Sequence, residues 1–191
     1  MPVLHKFLLE HGLRSRLLGA LLLAASFSAA AGNFGVSPIR LDLDRNAKTG
    51  AVTVSNDDEG KLLLQMRAFE WTQDAIGQDR YTESPDLIFF PKLMSLDKKA
   101  QRVIRAGTRV MAAEREKTYR LFIEEIPEPR KNEQSGAKIS VAIRFGVPVF
   151  IRPLQESVKG EIERAEFDGA HVKLRVKNSG NVHFIINSVD V

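Results

Sequence analysis

The chain has no cysteine, one tryptophan, two tyrosines and four histidines among its 191 residues. Without cysteine there is no disulfide framework, no thiolate nucleophile and no sulfur-based zinc site, so the fold must rest on burial. With so few large polar aromatics there is no row of exposed rings for sugar stacking. Glycine-rich phosphate loops are absent. Ser55, Ser95 and Ser140 lack a nucleophile-elbow or paired-base context. Glu124 and Glu125 are adjacent, so on a strand they point to opposite faces and do not form a catalytic pair. His5 and His11 lie in the N-terminal head. His171 and His183 sit on separate strand candidates with no carboxylate cluster matched to them, so no metal is expected. No catalytic residue, cofactor or small-molecule substrate is expected.

Long apolar runs are also scarce. The exception is Leu17–Phe27, which follows Lys6, Arg14 and Arg16 and precedes Ser28-Ala29-Ala30-Ala31-Gly32. A basic head, a short apolar middle and a small-residue end form a secretory signal peptide, with cleavage expected after Ala31. The run is too short to read as a span, which needs about 18 apolar residues. The formal net charge of +4 falls to +2 once residues 1–31 are removed with their three bases and one acid. Charge therefore gives no argument for nucleic acid.

The rest of the sequence alternates apolar and polar residues in short runs separated by turn residues, the pattern of an all-β sandwich. Expected strands are Val36–Leu43 (an edge strand or bend, because of Pro38), Ala51–Ser55, Leu62–Trp71, Leu87–Phe90, Ala100–Ala106 and Lys117–Glu125. In the last of these, Phe122 interrupts the polar face, so both faces are expected to be partly covered. Gln73–Pro85 and Arg130–Gly136 read as loops, and Asp97–Lys99 as a short helical turn. The longest candidate strand is Lys138–Phe150. After Pro153 the pattern restarts with a hairpin, Glu161–Phe167 and His171–Lys177 around Asp168-Gly169, and a further strand over Val182–Val191. Three strands are few for an independent sandwich. The expected organisation is therefore a signal peptide (1–31), a first domain (32–153) and a partial second β domain (154–191).

Seven segments in order carry a family resemblance. They are Gly35-Val36-Ser37-Pro38-Ile39-Arg40-Leu41; Val52-x-Val54-x-Asn56; Gln65 with Phe69-Glu70-Trp71; and Phe89-Phe90-Pro91 with Gln101-x-Val103-Ile104-Arg105. Next come Glu116-Lys117-x-Tyr119-Arg120-Leu121-Phe122-Ile123-x-Glu125-Ile126-Pro127; Pro148-Val149-Phe150-Ile151-Arg152-Pro153; and Lys177-Asn178-x-Gly180-Asn181-x-His183. Together they resemble the PapD-like periplasmic pilus-assembly chaperones of Gram-negative bacteria. The resemblance implies two immunoglobulin-like domains set at an angle, no catalysis, and two kinds of partner. These are pilin subunits that lack a final strand and an outer-membrane usher that receives them.

The resemblance also implies roles for particular residues. Along Lys138–Phe150, Ile139, Val141, Ile143, Phe145, Val147 and Val149 share one face, since strand side chains alternate. By composition alone that face would turn to the domain's own core. The resemblance matches Ile139, Val141, Ile143 and, further along, Phe145 to the strand lent to a subunit. Arg40, by itself a solvated surface charge, matches the arginine that holds the subunit's C-terminal carboxylate. The lysine expected beside it falls at Pro148 and is missing, which leaves Arg144 or Arg105 as substitutes or a different anchorage. That departure resembles the divergent branch that builds thin, simple pili. The short cysteine-free loop before the strand resembles the short-loop subclass. Glu116 and Arg152, otherwise two unrelated surface charges, match an interdomain salt bridge. The competing reading is a structural sandwich, a pilin or adhesin subunit. Such a subunit should begin with an alternating apolar extension, whereas this sequence enters the Gly35 segment at once.

Overall fold

The computed structural model describes residues 34–110, 114–127 and 141–189. These form twelve strands: β1 (Phe34–Ser37), β2 (Leu41–Leu43), β3 (Thr49–Asn56), β4 (Leu62–Gln73), β5 (Asp79–Glu83) and β6 (Leu87–Phe90). They continue as β7 (Leu93–Leu96), β8 (Gln101–Thr108), β9 (Lys117–Glu125), β10 (Arg144–Ile151), β11 (Gly160–Phe167) and β12 (Val172–Asn178). One sheet runs β1-β3-β8-β6. The second runs β2-β10-β9-β4-β5, with β7 also on β4, and β11-β12 form a separate hairpin. Among the described residues there is no helix.

Alternation explains the packing. Val52, Val54, Ile104 and Ala106 of the first sheet meet Leu64, Met66, Tyr119, Leu121, Ile123, Val147 and Val149 of the second in one apolar core. The all-β immunoglobulin-like sandwich expected from the sequence is therefore the fold. Tyr119 brings a hydroxyl into this core and donates to Asp86 at 2.8 Å. Burial first, then that bond, pushes its hydroxyl pKa up, while the Tyr119 and Lys117 bonds hold the Asp86 carboxyl below its usual value.

Several boundaries differ from expectation. The Val36–Leu43 run is two strands, β1 pairing with β3 in one sheet and β2 with β10 in the other. Pro38 lies at the crossover between them, where the chain leaves one sheet for the other. The Gln73–Pro85 loop contains β5, whose five residues are all exposed, so it carries no apolar alternation. β7 also lies outside the expected set. Asp97–Lys99 is a tight turn closed by Ala100 N–H to Asp97 O at 3.1 Å, with Lys99 at φ 57°, rather than a helical one. Over residues 182–189 the expected Val182–Val191 strand has no sheet pairing. Within residues 128–140, the Arg130–Gly136 loop and the start of the Lys138–Phe150 strand lie outside the described residues.

Asn56, a buried amide side chain on β3, joins the two halves of the sandwich. Its amide donates to the carbonyls of Gly60 (2.8 Å), Leu96 (3.3 Å) and Asp97 (3.2 Å), and its oxygen accepts from Asp58 N–H. Removing it leaves the buried Leu96 carbonyl without this donor. Asn56→Ala is expected to lower unfolding free energy by about 2–3 kcal/mol, measured by urea denaturation.

Candidate functional site

β10 lies between two unequal neighbours. Along its whole length it pairs antiparallel with β9, Arg144 opposite Glu124 through to Ile151 opposite Lys117. On its other side β2 pairs with it only at Val149, Phe150 and Ile151. Glu125 N–H donates to Ile143 O at 2.9 Å, so odd-numbered backbone groups face β9. The N–H and C=O groups of Arg144 and Gly146 therefore face an edge without a partner among the described residues, whereas the Pro148 C=O already faces Leu41 at the start of β2. Pro148 has no N–H to offer there.

The strand ends early for a local reason. One residue beyond the Ile143–Glu125 pair, Ile126 N–H continues the ladder on the other side of β9, bonding Leu63 O on β4 at 2.8 Å. The next residue, Pro127, has no donor, and Ile143 N–H is met instead by the Glu125 carboxylate at 3.2 Å. Val141 and Ala142 consequently have no ladder, and Val141 is 75% exposed. Of the expected donor positions, Ile139 lies outside the described residues. Ile143 is half-buried and Phe145 is half-buried against the core, in line with buried Val147 and Val149. The apolar face thus runs from the core of the sandwich out into solvent.

The opposite face of the same sheet carries interleaved rings and guanidinium groups. Arg40 lies over Phe150 (4.5 Å), Arg120 over Trp71 (4.0 Å), Arg144 over Phe122 (3.7 Å) and Arg67 over Phe69 (4.9 Å). The rings touch edge to face in the pairs Trp71–Phe150, Phe69–Phe122 and Tyr81–Phe122. Phe122 is nearly buried in this layer, which accounts for an apolar residue on the polar face of β9. Each exposed cation–ring contact contributes about 0.5–1 kcal/mol and, more usefully here, fixes where the cation sits.

Arg40 immediately precedes β2. Asp42 grips it bidentately, from Nε at 2.8 Å and a terminal nitrogen at 2.6 Å, and also accepts from Arg152 at 3.3 Å. Arg144 pairs with Glu124 at 2.7 Å. Arg105 lies in the other sheet, on β8. Glu116 and Arg152 do not pair with each other. Arg152 bonds Asp42 and Glu156, whereas Glu116 Oε2 meets His183 Nδ1 at 2.6 Å and accepts His183 N–H at 3.1 Å. The His183 ring stacks on Phe150 at 4.2 Å. Asn181 adds to this link by donating to Glu114 O and Gln155 O, both at 2.8 Å. Gly180 permits the approach, because a Cβ there would collide with the Ser157 carbonyl. Sequence reasoning paired Glu116 with the wrong partner, although His183 closed the last of the seven segments.

The Arg40 bond, more than the opposing effect of burial, holds the Asp42 carboxyl below its ordinary value, with Arg152 adding to it. A depressed folded-state pKa contributes stability that is complete above the unfolded value and lost as pH falls through the folded one. The stability difference between wild type and Asp42→Asn should therefore shrink as pH falls below about 4. Urea denaturation across that range checks it.

Residues 33–156 match the family described as pili and flagellar-assembly chaperone, PapD N-terminal domain. The chain is 27% identical over 164 residues to the probable fimbrial chaperone LpfB of Escherichia coli O157:H7, covering 85% of this chain and 65% of that protein. It thus spans just under two thirds of that relative's length. Among solved structures it resembles the CsuC–CsuE chaperone–tip subunit pre-assembly complex of Acinetobacter baumannii archaic Csu pili. The TM-score there is 0.58, with 21% identity, 78% of this chain and 73% of that chain. It also resembles the Salmonella enterica SafA pilin in complex with the SafB chaperone, with a TM-score of 0.58, 18% identity, 81% of this chain and 72% of that chain. At these identities the structural likeness speaks for the fold, and the matched segment for the family. The chain belongs to the pili and flagellar-assembly chaperones that share the PapD N-terminal domain.

Proposed function

We propose that this protein is a periplasmic chaperone that binds pilin subunits lacking a final strand by lending them the edge of β10, and passes them to an outer-membrane usher. The observation that carries this reading is the half-open edge of β10. A strand with free N–H and C=O groups on one side, and an apolar face that continues into solvent, is built to accept another strand. Main-chain bonds to Arg144 and Gly146 would hold the incoming strand. Ile139, Val141, Ile143 and Phe145 would fill the subunit's groove. Burying three such side chains contributes on the order of 5–9 kcal/mol before ordering costs. Export by residues 1–31 supplies the compartment.

Arg40 suits a carboxylate anchor. Its planar fork offers paired donors, and Asp42 and Phe150 hold it in place at the end of the open edge. The β11–β12 hairpin is the start of a second β domain. The Glu116–His183 contact fastens the segment that follows it to the first domain, in the place where the sequence suggested Glu116 and Arg152.

Co-expression in the periplasm with a pilin lacking its last strand tests the reading. Wild type should co-purify with the subunit, and Val141→Asp should lose it while remaining folded by circular dichroism, because Val141 is solvent-exposed in the free chain. Retention of the subunit by folded Val141→Asp would mean that β10 is not the binding element.

A further inference from the structure

The β11–β12 hairpin sorts its side chains by face. Its register sets Ile162 opposite Val176, Ala165 opposite Leu174 and Phe167 opposite Val172. The irregularity between Ile162 and Arg164 keeps these apolar residues of β11 on one side. The other side carries Glu161, Arg164 and Glu166 against Lys177, Arg175 and Lys173. Those charges are partly paired already, Lys177 with Glu163 at 3.3 Å and Arg164 with Glu166, so that side suits water. The apolar side does not: Ile162 is 65% and Phe167 71% exposed, and Val176 is open as well.

The chain begins to cover this face and then leaves it. Gly160 lies at the base of the apolar side, where a Cβ would collide with the Phe184 ring. Phe184 therefore roofs the first step of the hairpin. Beyond it Ile185 and Ile186 are exposed, and the hairpin pairs with no other strand among the described residues. A two-stranded hairpin with one bare apolar face is marginal in water and needs a covering layer.

Charge and area decide what that layer is. Edge-to-edge addition of a second copy would set β12 beside β12 or β11 beside β11. The first opposes Lys173, Arg175 and Lys177 to their own kind. The second does the same to Glu161, Glu163 and Glu166, with only Arg164 to relieve them. Like charges directly opposite are destabilising. Pairing β11 with the β12 of another copy is allowed by charge, but it leaves every apolar face in water. Stacking face to face removes both apolar faces from water, keeps the charged sides outward and sets two layers about 10 Å apart, as in a sandwich. The six apolar side chains present roughly 400 Å² of open surface per copy, so a stacked pair buries roughly 800 Å². That is below the roughly 1,200 Å² at which standard stable interfaces begin, which makes the pair weak and reversible.

We infer that two copies of this chain associate through the apolar faces of their β11–β12 hairpins, each copy supplying one layer of a shared β-sandwich. β10 takes no part, so the inference is separate from strand pairing with a subunit.

Sedimentation of the chain purified from the periplasm tests it. Wild type should pass from monomer to dimer across the micromolar range. Phe167→Asp should weaken association by about 30-fold or more, as loss of a buried interface aromatic does. Lys173→Ser, on the charged side, and Val141→Asp, on β10, should leave it unchanged. Phe167 is exposed in the single chain, so Phe167→Asp removes little packing within one copy, and circular dichroism checks its fold. The chain has no cysteine, so a single introduced thiol gives a second measurement. Ala165→Cys, in the middle row of the face, should form an intermolecular disulfide on mild oxidation, and Lys173→Cys should not. Wild type that stays monomeric across that range overturns the inference, and the face is then covered within the chain or by a different partner. Dimers that survive Phe167→Asp, dimers lost in Val141→Asp instead, or equal cross-linking by Ala165→Cys and Lys173→Cys overturn it as well.

Discussion

β10 is satisfied along one edge and open along half of the other, and this imbalance organises what surrounds it. The β9 ladder and the buried Val147, Val149 and Ile151 side chains hold the strand rigidly in the sandwich. β2 caps only its last three residues. An edge left open in this way is an aggregation hazard unless short, charged or interrupted. Here it is short, begins at Arg144 and ends at Pro148. Those features leave the edge usable by one partner strand of defined length while discouraging indefinite pairing between copies.

The outer face complements the edge. Its rings and guanidinium groups are arranged so that the cations nearest the capped end, Arg40 and Arg120, are held by Phe150 and Trp71 rather than free to swing. Preorganisation of this kind lowers the ordering cost of any contact these cations make. Phe150 has a further neighbour in His183, fastened by Glu116, so the segment after the hairpin bears on the same ring as Arg40. The residues gathered here come from both sides of Pro153, although the apolar core lies wholly before it.

Much of this was legible in the sequence. Alternating runs located most strands of the sandwich, since those strands bury one face and expose the other. β5 escaped because its residues are exposed on both faces and carry no pattern. The division of Val36–Leu43 between two sheets was hinted at only by Pro38. The apolar line through Val141, Ile143 and Phe145 was visible, but not that it leaves the ladder where Pro127 ends the donors that β9 turns to β10. Partner identity was the hardest to read. Glu116 finds His183 rather than Arg152, and Arg120 faces Pro148, because register between distant segments is fixed by the whole sheet. A lysine-to-proline departure could be noticed in the sequence, but the residue across from it could not.

The central claim is that the outward groups of β10 are unpaired in the free protein and paired in the complex. Amide hydrogen exchange, followed residue by residue with and without a bound pilin subunit, tests it most directly. Phe145, Val147 and Val149 amides should be protected in both states, since they face β9. Arg144 and Gly146 amides should exchange rapidly in the free chain and become protected on binding. Unchanged exchange at Arg144 and Gly146 in a complex shown to be intact would contradict the account.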